Sequence, residues 1–219
     1  MAHADIITIA VKWQMERASI KWRARGAHLE NESVPTGEIS LGHVVEDSGR
    51  TPTDLRDQFL SVEQSDGAEA LAKFLNETGD WDGETTSLSA DYFWQEQEVV
   101  RAIMTSRKFK GHSPADLLRE ALGDIDVRLD NVDIPERGAP TMLMSIRDTR
   151  SAIYLSLWSD KARNAKYRFC ARRDCPEHRA GTVPFEVQRR DQVYCQQYCA
   201  HVASQRQKRT EERRRKKGR

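Results

Sequence analysis

Four cysteines constrain this chain more than any other feature, because they fall into two close pairs, Cys170 with Cys175 and Cys195 with Cys199. Residues 176–194 separate the pairs. Thiolates so spaced, with a connector long enough for a hairpin, suit a tetrahedral zinc site, since each pair reaches one ion from a knuckle or a single helical turn. Pro184–Val187 and Gln192–Tyr194 read as two short strands around the polar turn Gln188–Asp191. Beyond Cys195 the residues favour helix, which sets Cys195 and Cys199 at i and i+4 on one face of its first turn. The expected unit is a knuckle, a hairpin and a helix around one structural Zn2+, a treble-clef-like arrangement.

Disulfides are the competing reading of the same spacing. Residues 1–20 carry Asp5, Lys12, Glu16 and Arg17 and lack an apolar run followed by a cleavage site, so no secretory signal is expected. The expected compartment is cytoplasmic, where thiols stay reduced. His178 and His201 lie near enough to replace a ligand, but four cysteines already complete a closed structural site.

These residues also carry a resemblance. Phe169-Cys170, Cys175, Phe185, the Arg189-Arg190 pair, Tyr194-Cys195 and Cys199 followed by a basic helix resemble the CGNR zinc finger. That family forms the C-terminal module of bacterial proteins with a helical, stress-associated N-terminal domain. The resemblance implies DNA binding and transcription regulation. This chain departs from the naming motif, since Ala200, His201 and Val202 follow Cys199 in place of Gly, Asn and Arg.

A net charge of +1 hides a division. Residues 161–219 hold 18 Lys+Arg against 6 Asp+Glu, whereas residues 1–160 hold 17 against 28. A basic end on an acidic body fits a polyanionic partner, and the same asymmetry lets the two halves attract each other. The candidate phosphate contacts are Arg189 and Arg190 on the connector, with Arg206, Lys208, Arg209, Arg213, Arg214, Arg215, Lys216 and Lys217 beyond it. Arginine suits them because its guanidinium meets phosphate in a two-pronged fork. The sequence therefore points to a zinc-dependent nucleic-acid-binding regulatory protein, with DNA preferred to RNA. The alternative is an interaction or accessory protein whose zinc is purely structural and whose acidic body docks a protein partner.

The body reads as α+β. In residues 6–25, Ile7, Ile9, Val11, Trp13 and Met15 alternate with polar residues, as do Ile20, Trp22 and Ala24, which predicts a two-strand unit. Residues 26–53 read as loops with short strands at most, and Asp54–Val62 is ambiguous. Asp66 with Glu69 signals a helix start, Ala70, Leu71, Phe74 and Leu75 its buried stripe, and Gly79 its stop. Ser89 opens a helix to about Arg107, and Ser113-Pro114 opens another ending at Gly123. Ile125–Leu129 and Met142–Ile146 alternate as a hairpin with a long loop. Asp148 caps a last body helix whose apolar residues are Ile153, Tyr154, Leu157, Trp158 and Ala162, and this helix leads straight into the cysteine region.

The expected divisions are an acidic body at 1–163, a zinc module at 164–203 and a basic tail at 204–219, a fraying helix or disordered. No nucleotide-binding, metalloprotease or nucleophile-elbow motif occurs, so no enzyme is expected. Asp80-Trp81-Asp82 and Asp124-Ile125-Asp126 are carboxylate pairs of a kind common on acidic surfaces. No apolar stretch reaches the length of a membrane span.

Overall fold

The computed structural model describes residues 10–15, 22–31, 51–79, 81–82, 87–123, 125, 127–133, 141–146, 148–178 and 182–217. Strand β1 (Ala10–Met15) is followed by β2 (Trp22–Arg25) and β3 (His28–Asn31), then helices α1 (Pro52–Ser61) and α2 (Gly67–Thr78). Strand β4 (Ser87–Ser89) leads into α3 (Ala90–Met104) and α4 (Pro114–Gly123). Strands β5 (Val127–Asp133) and β6 (Thr141–Ile146) precede α5 (Thr149–Ala162), and β7 (Tyr167–Arg168), β8 (Phe185–Glu186) and α6 (Gln197–Lys217) complete the chain. Helices and small sheets together make this an α+β protein.

The three sheets run β1-β6-β5, β2-β3-β4 and β7-β8. The expected two-strand unit in residues 6–25 is therefore corrected. β1 pairs in parallel with β6, Ala10 opposite Thr141, while β2 pairs antiparallel with β3 through the turn at Gly26. Gly26 has φ +62°, a conformation that costs glycine little. The period of two correctly marked both strands, but alternation says nothing about which strand pairs with which. The hairpin of β5 and β6 is present, with an irregularity in register between Leu129 and Asn131.

Caps explain why the helices begin where they do. Ser89 Oγ accepts from the Asp91 N–H (3.2 Å), Ser113 Oγ from Asp116 (3.2 Å) and Asp148 Oδ1 from Ser151 (2.6 Å). The ambiguous segment is α1, started by a capping box: Thr51 Oγ1 accepts from the Asp54 N–H and Asp54 Oδ2 accepts from the Thr51 N–H (2.8 Å). For α2 the expected cap at Asp66 differs, since its carboxylate accepts from the N–H of Glu63 and not from the helix. Ala68 and Ala72 share the buried stripe with Leu71, Phe74 and Leu75, while Ala70 is only half-buried.

The main core gathers Trp22, Leu29, Phe59, Leu71, Phe74, Trp81, Phe93, Ile103 and Tyr154, from α1, α2, α3, α5 and the second sheet. Trp81 is its pivot, 5.1 Å from Phe59 and 4.6 Å edge-on from Phe93, ring to ring. Asp80, Asp124 and Asp126 lie outside the described residues. Of the apolar residues named for α5, Ile153, Tyr154 and Leu157 are buried, whereas Trp158 is 51% exposed.

Candidate metal centre

A separate small core lies at the C-terminal end of the chain, made of Cys170, Cys175, Phe185 and Cys199 with Val187, Tyr194 and Cys195 against them. The predicted hairpin inside the connector is not what builds it. β8 pairs instead with β7, the strand that precedes Cys170, setting Tyr167 opposite Glu186 and Arg168 opposite Phe185. Gln192–Tyr194 is no strand. It closes the turn through Gln192 N–H to Arg189 O (2.9 Å), and Val193 O accepts from the Ala171 N–H (2.9 Å). The helix also starts later than expected. Cys195 lies before α6, whose first residue is Gln197, and only Cys199 sits in its opening turn.

This arrangement brings all four sulfurs within 4.8 Å of one another. Cys175 Sγ is 3.5 Å from Cys195 Sγ and 3.6 Å from Cys199 Sγ, and Cys195 to Cys199 is 3.7 Å. A metal ion at the usual zinc–sulfur distance of about 2.3 Å requires sulfur separations near 3.8 Å at a tetrahedron's edges, so the set has the dimensions of a tetrathiolate cage. All four are free thiols, which sets aside the disulfide reading.

Burial pushes the Cys195 and Cys199 thiols up, reinforced by the neighbouring Cys175 sulfur. Burial works the same way on Cys175, yet the backbone N–H of His178 and the two neighbouring thiols outweigh it and hold Cys175 down. A divalent cation between the sulfurs would favour their thiolate form, offsetting the effect of burial.

Neither histidine joins the set. His178 Nδ1 is 3.1 Å from Val183 O, and His201 is bonded to Gln205 on the exposed side of α6. Outside the four ligands, Arg172 Nη1 approaches Cys199 Sγ at 3.9 Å and also pairs with Asp174. Asp174 in turn takes Arg206 of α6 in a fork of two 2.7 Å bonds. The Asp174 carboxyl is held well below the usual carboxylate range, by Arg206 first and Arg172 second. Knuckle and helix are therefore tied by an ion network as well as by sulfur. Sequence reasoning missed Arg172 and Asp174, because no spacing rule links Asp174 to a residue 32 positions on.

Of the candidate phosphate contacts, Arg189 and Arg190 stand exposed at the turn, and Lys208, Arg209, Arg213, Arg214 and Arg215 stand exposed along α6. Arg206 is occupied by Asp174. Lys216 and Lys217 belong to the last turn of α6. The segment expected to begin a tail at 204 continues the helix that starts beside the cysteines.

The cysteine region is fastened to the rest of the chain. Val183 enters the main core, and Arg101 Nε of α3 donates to Thr182 O (2.7 Å). Asp160 of α5 accepts from the Tyr167 hydroxyl (2.6 Å), from Arg163 and from the buried Arg56 of α1, while Arg163 also forks onto Glu186 (2.8 and 2.9 Å). Among the described residues no helix is long and apolar enough to cross a membrane. No family model, curated protein or solved structure matches this chain.

Proposed function

We propose that this chain is a zinc-dependent nucleic-acid-binding regulatory protein, in which one structural zinc on Cys170, Cys175, Cys195 and Cys199 presents α6 to phosphate. The observation that carries the reading is a 21-residue helix rooted at Cys199, whose outer half exposes Lys208, Arg209, Arg213, Arg214 and Arg215. Zinc is the metal favoured by four sulfur ligands in a small tetrahedral set. Such a site leaves no open position for water, so its role is structural. A knuckle that lies between β7 and β8, followed after the second cysteine pair by a helix, supports a treble-clef-like module. DNA is the preferred partner and transcription regulation the role.

Binding to random-sequence duplex should be steeply salt-dependent, because each phosphate neutralised releases condensed counterions. If six cations of the C-terminal segment engage, they contribute roughly −5 to the log–log slope of affinity against salt. Replacing Lys208, Arg209, Arg213, Arg214 and Arg215 by Gln in the full chain should flatten that slope by about 4.5, at about 0.9 per phosphate. A wild-type slope near zero between low and moderate salt overturns the reading. RNA of the same length, used as competitor, decides between the two nucleic acids.

A further inference from the structure

Arg107, Lys108 and Lys110 form a run of positive charge on the body, in the connection between α3 and α4. This stands out because residues 1–160 hold 28 acidic side chains against 17 basic. The connection is stiff. Helix α3 ends with Ser106 in the left-handed region (φ +56°), Arg107 N–H bonding back to Ala102 O (2.9 Å) and Ser106 N–H to Ile103 O (3.3 Å). A tight turn follows over Lys110 (φ +47°) and Gly111 (φ +89°), closed by the reciprocal bonds Phe109 N–H to His112 O (3.1 Å) and His112 N–H to Phe109 O (3.0 Å). Glycine or asparagine is the natural occupant of both left-handed positions, and this chain places serine and lysine there. Lysine at the first centre of such a turn gives up backbone stability to hold a cation at the tip.

Arg107, Lys108 and Lys110 are all exposed, and among the described residues no carboxylate pairs with them. Lys110 gives one of its three donors to Gln95 (2.7 Å), a neutral partner that leaves its charge uncompensated. The connection also touches the cysteine region, since the Arg107 guanidinium lies over the Phe169 ring at 5.5 Å. Phe169 precedes Cys170, whose sulfur is within 4.8 Å of that of Cys199, the root of α6. Lys161 of α5 adds a further cation, bonded to Ser106 at 3.1 Å.

We infer that the α3–α4 connection is a second phosphate-binding element, contacting the backbone of the same nucleic acid that α6 engages. It rests on the nucleic-acid reading above and adds the acidic body to the interface. The bound strand runs from α6 past the cysteine cluster to this turn, and the turn's rigidity means that little order is lost on binding.

Two full-length variants test it against random-sequence duplex DNA: Lys108→Gln with Lys110→Asn, and the same pair with Arg107→Gln. The salt slope should flatten by about 1.8 in the first and about 2.7 in the second, at about 0.9 per phosphate. The first variant touches no contact to the cysteine region. Its zinc content should be unchanged, and its melting temperature equal or higher, since asparagine suits the left-handed position. Unchanged slopes in both variants, with the parent still binding steeply, overturn this inference and leave α6 as the interface. A parent that does not bind overturns the nucleic-acid reading itself, and this inference with it.

Discussion

Asp160 is the residue on which the junction between body and cysteine region depends. Its carboxylate accepts from Arg56, which is 1% exposed, from the Tyr167 hydroxyl and from Arg163. Burial works to raise its pKa, but Tyr167, then Arg56 and Arg163, outweigh that effect and hold it below the ordinary carboxylate value. Burial, aided by the bond to this carboxylate, raises Tyr167 to about 12. A folded-state pKa below the unfolded one means that stabilisation is present above the unfolded value near 3.9 and is lost as pH falls through the folded one. Asp160→Asn should destabilise the protein by about 3 kcal/mol at neutral pH, because buried Arg56 loses its buried carboxylate and keeps, among the described residues, the half-exposed Asp57 as its ion-pair partner. It should also make stability less dependent on pH below about 4. Urea unfolding of both proteins at pH 7 and pH 3.5 checks both effects, and a gap that does not narrow at the lower pH would refute the assignment.

At the scale of elements, the helices were most legible where a cap and an apolar stripe coincide. Ser89, Ser113 and Asp148 announce α3, α4 and α5, and the structure keeps each start. Helix α1 was obscured although its signals were present. Thr51, Pro52 and Asp54 form a capping box with proline in the first turn, but its buried face includes Arg56, which breaks the expected apolar stripe. The buried carboxylate that meets Arg56 is Asp160, and periodicity cannot see a partner 104 residues away. Thr51→Ala should cost about 1 kcal/mol of unfolding free energy, measurable as a lower urea midpoint at unchanged slope.

The four cysteines were legible because short spacing fixes geometry. The order of strands around them was not, because β8 chose β7, outside the pair-to-pair interval, through Val187 N–H to Lys166 O (2.7 Å) as well as its ladder. The basic turn beside Phe169 was equally hidden, since its neighbours come together only in the folded chain.

For the whole molecule, the main core and the cysteine core should respond differently to loss of metal. The main core draws on α1, α2, α3 and α5, whereas the cysteine core has little apolar area beyond Phe185, Val187 and Tyr194. Small sites of this kind take much of their folding free energy from the ion. Cys175→Ser should therefore release the metal and melt α6, lowering the helical circular dichroism signal, while the near-ultraviolet signal of buried Trp22 and Trp81 persists. Protein purified without chelator should hold about one equivalent of zinc by elemental analysis, and less than about half would contradict a structural site.

The grip of Asp160 and Arg163 on both Tyr167 and Glu186 has a consequence for recognition. These two residues face each other across β7 and β8, so each strand of the pair is tied to the end of α5. If a polyanion lies along α6 and the Arg107 turn as proposed, the surface it meets is fastened to the body at β7 and β8, and the bending needed to match it falls to the polyanion.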